Sequence, residues 1–287
     1  MSAIPVVLFS LLVLATLAWF VAQPWLRARR RAHLRERPFP STWLDILKRD
    51  LPWVLELPAP QRTTLLGHVQ VFLAEKAFIG CRGLEVTDTM RVTIAAQACL
   101  LLLGQPRGYF PRLRQILLYP GSFLVTRKRG DGTGVTHEWR EVLVGESWAE
   151  GQVVLSWEDV QADSTQPLAG ANVVIHEFAH QLDQDGGAAN GAPHMRDANL
   201  AQHWRNVMRN EYQALRWRVQ QGENTLIPAY GAREPGEFFA VLCETFFLRP
   251  HELRQRHPEI YTLLAHYLAL EPVAWSSGPW KSPIMTH

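Results

Sequence analysis

The chain opens on an unbroken apolar run. Ala3 to Gln23 reads "AIPVVLFSLLVLATLAWFVAQ", without a charged side chain, and a helix needs roughly 20 such residues to cross a bilayer. Further on the pattern becomes periodic. Gln61 to Phe78 places Leu65, Leu66, Val69, Phe72 and Leu73 at helical spacing, which predicts a helix. A second helix is predicted from a Thr87 or Asp88 cap to Leu103, apolar nearly all round and therefore buried. The texture then changes. "QILLYPGSFLV", "REVLVGE" and "GQVVLSWEDV" are short, β-rich and bounded by Gly or Pro, the pattern of strands. Helical spacing returns from Leu168. It predicts a long helix from Asp197 or Asn199 to about Gln220. Another is predicted over "PGEFFAVLCETFF", with Pro235 early, where the missing N–H costs nothing. Helices, then strands, then helices read as α+β with one small sheet, preceded by one transmembrane helix. Val153 to Trp157 is expected as an exposed edge strand, open to an extended peptide by strand addition.

Charge adds a direction. The net charge is +2, but six arginines between Arg27 and Arg37 face one acid, Glu36, giving +5 over residues 1–37 and −3 over the rest. A mildly acidic main domain has no footprint for direct nucleic acid binding. The arginines directly after the apolar run place the domain in the cytoplasm by the positive-inside rule, as a single-pass protein of a bacterial inner membrane. Trp19 and Trp25 fall near that boundary. A secretory signal would carry its positive charge before the apolar run. Pro-rich "ERPFPSTW" and "LELPAPQR" bracket a short helical piece. The expected organisation is an anchor over 1–24, a basic, Pro-rich juxtamembrane linker over 25–60, a catalytic domain over 61–270 and a tail over 271–287. Cys81, Cys99 and Cys243 lie scattered in apolar runs, as buried free thiols of a reducing compartment would.

The chemistry centres on "VVIHEFAHQLD", Val173 to Asp183. Four helical residues advance about 400°, so His176 and His180 share one face, as two imidazoles meeting one tetrahedral zinc ion must. Glu177 stands beside that face and suits a base that takes a proton from metal-activated water. The metzincin extension fails, because its third histidine would fall on Gly186 and its glycine on Asp183. Glu211, Glu223, Glu234, Glu237, Glu244, His194 and His203 remain candidates for the third ligand. Glu237 and Glu244 are seven apart on one face of an apolar helix, and carboxylates there are rarely left without a counter-charge or metal.

Taken together, "LLYPGSF", "GQVVLSWEDV", "HEFAHQLD" and "AYGAREPGEFFAVLCETFF" resemble the Mlc titration factor A family of zinc metallopeptidases, whose catalytic domain is similar to that of anthrax toxin lethal factor. The resemblance spans roughly Trp53 to Leu270. It implies a zincin-like domain with Zn2+ held by His176, His180 and Glu237. It also implies Glu177 as catalytic base and Tyr230 as a hydrogen-bond donor in the site. It implies aminopeptidase-like activity on peptides, and a transcriptional repressor, Mlc, as a partner. The membrane helix and arginine cluster depart from the soluble members of that family. Glu237 and Glu244 lie two turns and roughly 10 Å apart, so one zinc, with its ~2.0–2.2 Å bonds to oxygen, takes only one of them. Glu237, in the first turn beside the loop of Tyr230, is the expected ligand, and Glu244 is expected to bond a ligand histidine. Asp183, three residues after His180, is expected either to orient that histidine or to sit solvated at a helix end. A membrane-tethered protein that sequesters a regulator is the alternative to the peptidase. Structural zinc sites, however, are usually closed and Cys-rich.

Overall fold

A computed structural model describes residues 4–104, 108–121, 123–130, 136–143, 145–148, 151–165, 170–185, 187, 190–195 and 197–275. Gly186 and residues 276–287 of the expected tail lie outside them. The chain runs through α1 (Ile4–Glu36), α2 (Ser41–Asp50), α3 (Pro52–Leu55), α4 (Ala59–Glu75), β1 (Ala77–Gly80), α5 (Asp88–Leu100), β2 (Gln115–Tyr119), β3 (Phe123–Gly130), β4 (Thr136–Leu143), β5 (Gly145–Trp148) and β6 (Gln152–Ser156). Helices follow: α6 (Trp157–Thr165), α7 (Val173–Gln184), α8 (Ala198–Gln220), α9 (Pro235–Leu248), α10 (Pro250–Arg256) and α11 (Pro258–Leu268). This is the expected α+β arrangement: helices around a four-stranded sheet ordered β1-β2-β6-β5, with an N-terminal apolar helix that could span a membrane.

The strand set carries two corrections. Helix α4 ends at Glu75, and Ala77 and Phe78 belong to β1, which pairs with Gln115 and Ile116 of β2. The stretch around Val153 is not an edge. Strand β6 pairs in parallel with β2 on one side and antiparallel with β5 on the other, and Val153, Val154 and Leu155 are buried. Trp157 is not in the strand and opens α6. A continuous apolar run reads the same for an edge strand and for one covered on both flanks, and only pairing separates them. Among the described residues the edge strands of the sheet are β1 and β5, and β5 packs beside α7. Strands β3 and β4 form a separate antiparallel hairpin.

The core reaches further toward the N-terminus than the linker expected over 25–60. Ile46, Leu47, Leu51, Trp53, Val54 and Leu57 are buried with the apolar residues of α4, α5, α7 and α9. Helix α1 continues through Pro24 to Glu36 and lies along α4. There Arg31 forms a two-bonded ion pair with Glu75, at 2.7 and 2.8 Å, and Gln70 Nε2 donates to the Arg37 carbonyl at 3.0 Å. Pro52 starts the short α3 and Pro60 sits in the first turn of α4 rather than marking a loose linker, because proline fits the first helical turn. At the other end Trp275 is buried. Cys99 and Cys243 are buried as expected, whereas Cys81, just past β1, is only half-buried.

Leu47 lies in this early segment and is fully buried, so Leu47→Ala should lower unfolding free energy by about 2–5 kcal/mol. Urea denaturation checks this. A loss within experimental error would show that residues 41–57 are a detachable linker after all.

Candidate metal centre

Helix α7 sits where it does because its start is tied down from three directions. The Asn172 cap accepts the Ile175 N–H at 2.8 Å, Val173 N–H donates to Asp163 at 2.7 Å and Asn172 N–H donates to Glu244 at 2.6 Å. These bonds satisfy amides that a helix start otherwise leaves orphaned, and the two carboxylates complement its positive dipole end. The Asn172 amide donates in turn to Gln97, which donates to Ser164 at 3.2 Å. Phe178 anchors the opposite face of the helix, with its ring 5.6 Å from that of Phe72 and 4.9 Å from that of Phe110.

With that face held, His176 and His180 stand together, ring centroids 4.9 Å apart. Helix α9 packs against α7 in the opposite direction, so its two acids meet one imidazole from two sides. Glu244 lies 2.7 Å from His176 Nδ1, and Glu237 lies 2.9 Å from His176 Nε2 and 3.6 Å from His180 Nε2. Among the described residues, His176, His180 and Glu237 form the cluster whose donor atoms converge closely enough to hold a metal ion, all within 4.8 Å of one another. The other candidates lie elsewhere. Glu211 pairs with His257 at 3.0 Å, His203 faces Glu259 at 3.7 Å, and His194, Glu223 and Glu234 are exposed. Glu177 is buried beside the cluster.

Burial disfavours charge on both His176 and Glu237, yet their mutual contact prevails. Hydrogen bonds to Glu237 and Glu244 hold the His176 imidazolium well above its ordinary range. Bonds from His176 and His180 hold Glu237 well below the usual carboxylate range. Glu237 is thus held as an anion between the two rings, a charge that suits a cation.

Tyr230 lies in a short 3-10 turn, Ala229–Ala232, with its ring edge-on to His176 at 5.8 Å and the Arg233 guanidinium 4.4 Å above it. Gly231 lets this turn lie flat on α9, because a Cβ there would come within 2.5 Å of Val241. Asp183 is fully buried, not a solvated helix-end acid. Its carboxylate accepts the Gly191 N–H at 2.7 Å and reaches His180 through charge. It therefore ties down the loop that meets the start of α9, where the carbonyl of Pro235 would be 2.4 Å from a Cβ on Gly191. The sequence pattern missed Asp163, Asn172 and Gln97. Asn172 carried a usable signal, a capping residue just before the apolar start of α7. Asp163 and Gln97 carried none, because they come from other helices.

The fold and this cluster define a class, proteins that bring two helical histidines and a distant glutamate to one cation site beside a mixed sheet. Residues 25–268 match the family described as glucose-regulated metallo-peptidase M90, and the chain belongs to that family. It is 39% identical over 272 residues to an uncharacterized protein of Synechocystis sp., which covers 94% of this chain and 98% of the relative. It is 33% identical over 238 residues to the proteins named Mlc titration factor A in Yersinia pestis and Yersinia pseudotuberculosis, covering 82% of this chain and 86% of each relative. The family read from the motifs is thus the family found, and its match begins at residue 25, well before residue 61.

Burial pushes the Asp163 carboxyl up to about 6, against the pull of the Val173 N–H, and the charges of Glu244 and Asp159 add to the rise. An unfolded aspartate titrates near ~3.9, so the folded protein holds this proton more tightly. The stabilisation is complete below about pH 4 and is lost as pH rises through about 6. Asp163→Asn keeps an oxygen for Val173 and removes the titration. Thermal melts of the metal-free protein should then fall less between pH 4 and 7 in the variant than in the native chain. Equal falls would show that Asp163 does not titrate in this window.

Proposed function

We propose that the chain is a membrane-anchored, zinc-dependent peptidase that hydrolyses peptide bonds in peptides or proteins. The observation that carries this reading is the convergence of His176, His180 and Glu237, with Glu244 behind His176 and Glu177 alongside. Two nitrogens and one carboxylate oxygen are a zinc donor set that leaves a position open for reactants. Glu237 stands 2.9 and 3.6 Å from the two ring nitrogens, and all three donors lie within 4.8 Å of one another, so together they would hold one ion. Zinc, when bound, supplies Lewis acidity that acidifies water and polarises the scissile carbonyl.

The chain's own residues do the rest. Glu244 accepts a hydrogen bond from His176 Nδ1–H, which fixes the tautomer and would leave Nε2 free to hold the ion. Glu177 takes the proton of the attacking water and returns it to the leaving amine. The Tyr230 hydroxyl donates to the developing oxyanion. Asp183 steadies the His180 end of the site through the loop at Gly191. The outer edge of β5 beside α7, unpaired among the described residues, is where an extended substrate would add as a strand, in place of the interior β6. Helix α1 anchors the protein, and the positive-inside rule puts the domain on the cytoplasmic face of the inner membrane. Aminopeptidase-like cleavage is the family-based expectation for substrate choice.

The name Mlc titration factor A, carried by the Yersinia relatives, supports a second reading. In it the chain is a membrane-tethered protein that sequesters a transcriptional repressor with little catalysis. Metal loading and turnover separate the two. Glu177→Gln should keep zinc and lose activity by about 10²–10⁴-fold. Glu237→Ala should lose most of the zinc after dialysis against a weak chelator. Glu244→Ala should keep it at about 10–100-fold lower affinity. Near-normal turnover in Glu177→Gln would remove the mechanism. A site emptied by Glu244→Ala but loaded in Glu237→Ala would reverse the ligand assignment.

A further inference from the structure

An open cleft of about 590 Å³ lies at the foot of α1, between one face of α1, with Trp19, Phe20, Gln23 and Arg27, and a loop that presents Gly108 and Pro111. The loop is pinned to α1 by Arg31. That side chain donates to the Gly108 carbonyl at 3.2 Å and lies 4.9 Å above the Tyr109 ring, while Glu75 takes its charge. Arg27 is exposed on the cleft wall. Arg112, next to Pro111, is exposed too.

Depth along α1 decides what such a cleft would meet. Ile4 to Gln23 rises about 30 Å as a helix, close to the ~30 Å hydrocarbon thickness of a bilayer. Its large apolar side chains are exposed all round, among them Leu8, Phe9, Leu12, Leu14 and Val21. With that run in hydrocarbon, Trp19 and Phe20 stand at the inner edge of the apolar zone. Arg27, four residues or roughly 6 Å past Gln23, stands at headgroup depth. Apolar walls below a guanidinium match a phospholipid, chains below a phosphate, whereas a free phosphate ion has no use for the aromatic pair. The arginine cluster makes the surroundings cationic, which favours an anionic headgroup.

We propose that this cleft seats an anionic phospholipid, with its phosphate at Arg27 and the start of its chains against Trp19 and Phe20. The bound lipid joins α1 to the Gly108–Pro111 loop and holds the domain against the membrane surface. The proposal rests on the reading of α1 as a membrane span.

The test uses the full chain in nanodiscs of phosphatidylcholine, alone or mixed with phosphatidylglycerol. Resistance of the chain to alkaline carbonate extraction is scored first. Extraction into the soluble fraction would overturn the span and this site with it. For the inserted chain, phosphatidylglycerol should raise the melting midpoint, and native mass spectrometry should show it retained over phosphatidylcholine. Arg27→Gln should lose both effects while melting normally in phosphatidylcholine alone. Arg29→Gln is the control, because Arg29 does not line the cleft and lies over Trp25 at 5.4 Å. It should behave as the native chain does. The site is overturned if Arg27→Gln keeps the phosphatidylglycerol shift. It is equally overturned if Arg29→Gln loses as much, or if inorganic phosphate alone reproduces the shift. In each of these cases the carbonate result stands, so the span survives the loss of the site.

Discussion

His176 between two carboxylates is the contact on which the site depends. One ring is bonded on Nδ1 by Glu244 and faces Glu237 across Nε2. The two acids are two turns apart on α9, and the ring spans the gap between them. This requires α7 and α9 to pack in opposite directions at one fixed offset. A slip of one turn would leave buried acids without a partner, which is costly. Glu244 makes the offset stricter still, because it also takes the Asn172 N–H at the start of α7. One carboxylate thus anchors the helix and orients a side chain on it, so helix position and histidine orientation are set together.

Around this contact the chain places apolar weight on the far faces. Phe178 lies against Phe72 and Phe110, while α9 carries Phe238, Phe239, Phe246 and Phe247 fully buried. Such packing leaves the helices little freedom to rotate, and the polar side of α7 stays turned to its partners. The small network of Asp163, Asn172, Gln97 and Ser164 satisfies the amides at the start of α7. Where α1 is concerned, the Arg31–Glu75 pair and the contact with α4 make the helix continuous with the domain. In the proposed role of α1 as an anchor, this continuity would hold the domain at a fixed height, unlike a flexible tether.

Much of this was legible in residue order, because the relevant periods are local. The apolar run of α1, the four-residue spacing of His176 and His180, the Thr87 cap and the long α8 depend on neighbours within a few turns. Residue order therefore determined the α+β class, the helical site and the family. It also narrowed the third ligand to a few acids and histidines. What it left open was pairing between distant segments. Only the tertiary structure decided that β6 is interior and β5 an edge, because an apolar strand looks alike with one neighbour or two. Only tertiary packing drew residues 41–57 into the core. It also turned Asp183 inward to Gly191 and brought Glu237 rather than Glu211 or His203 to the two histidines. Those outcomes follow from which helix faces which, a long-range choice made by summed burial and hydrogen-bond satisfaction, and no short window of residues contains it.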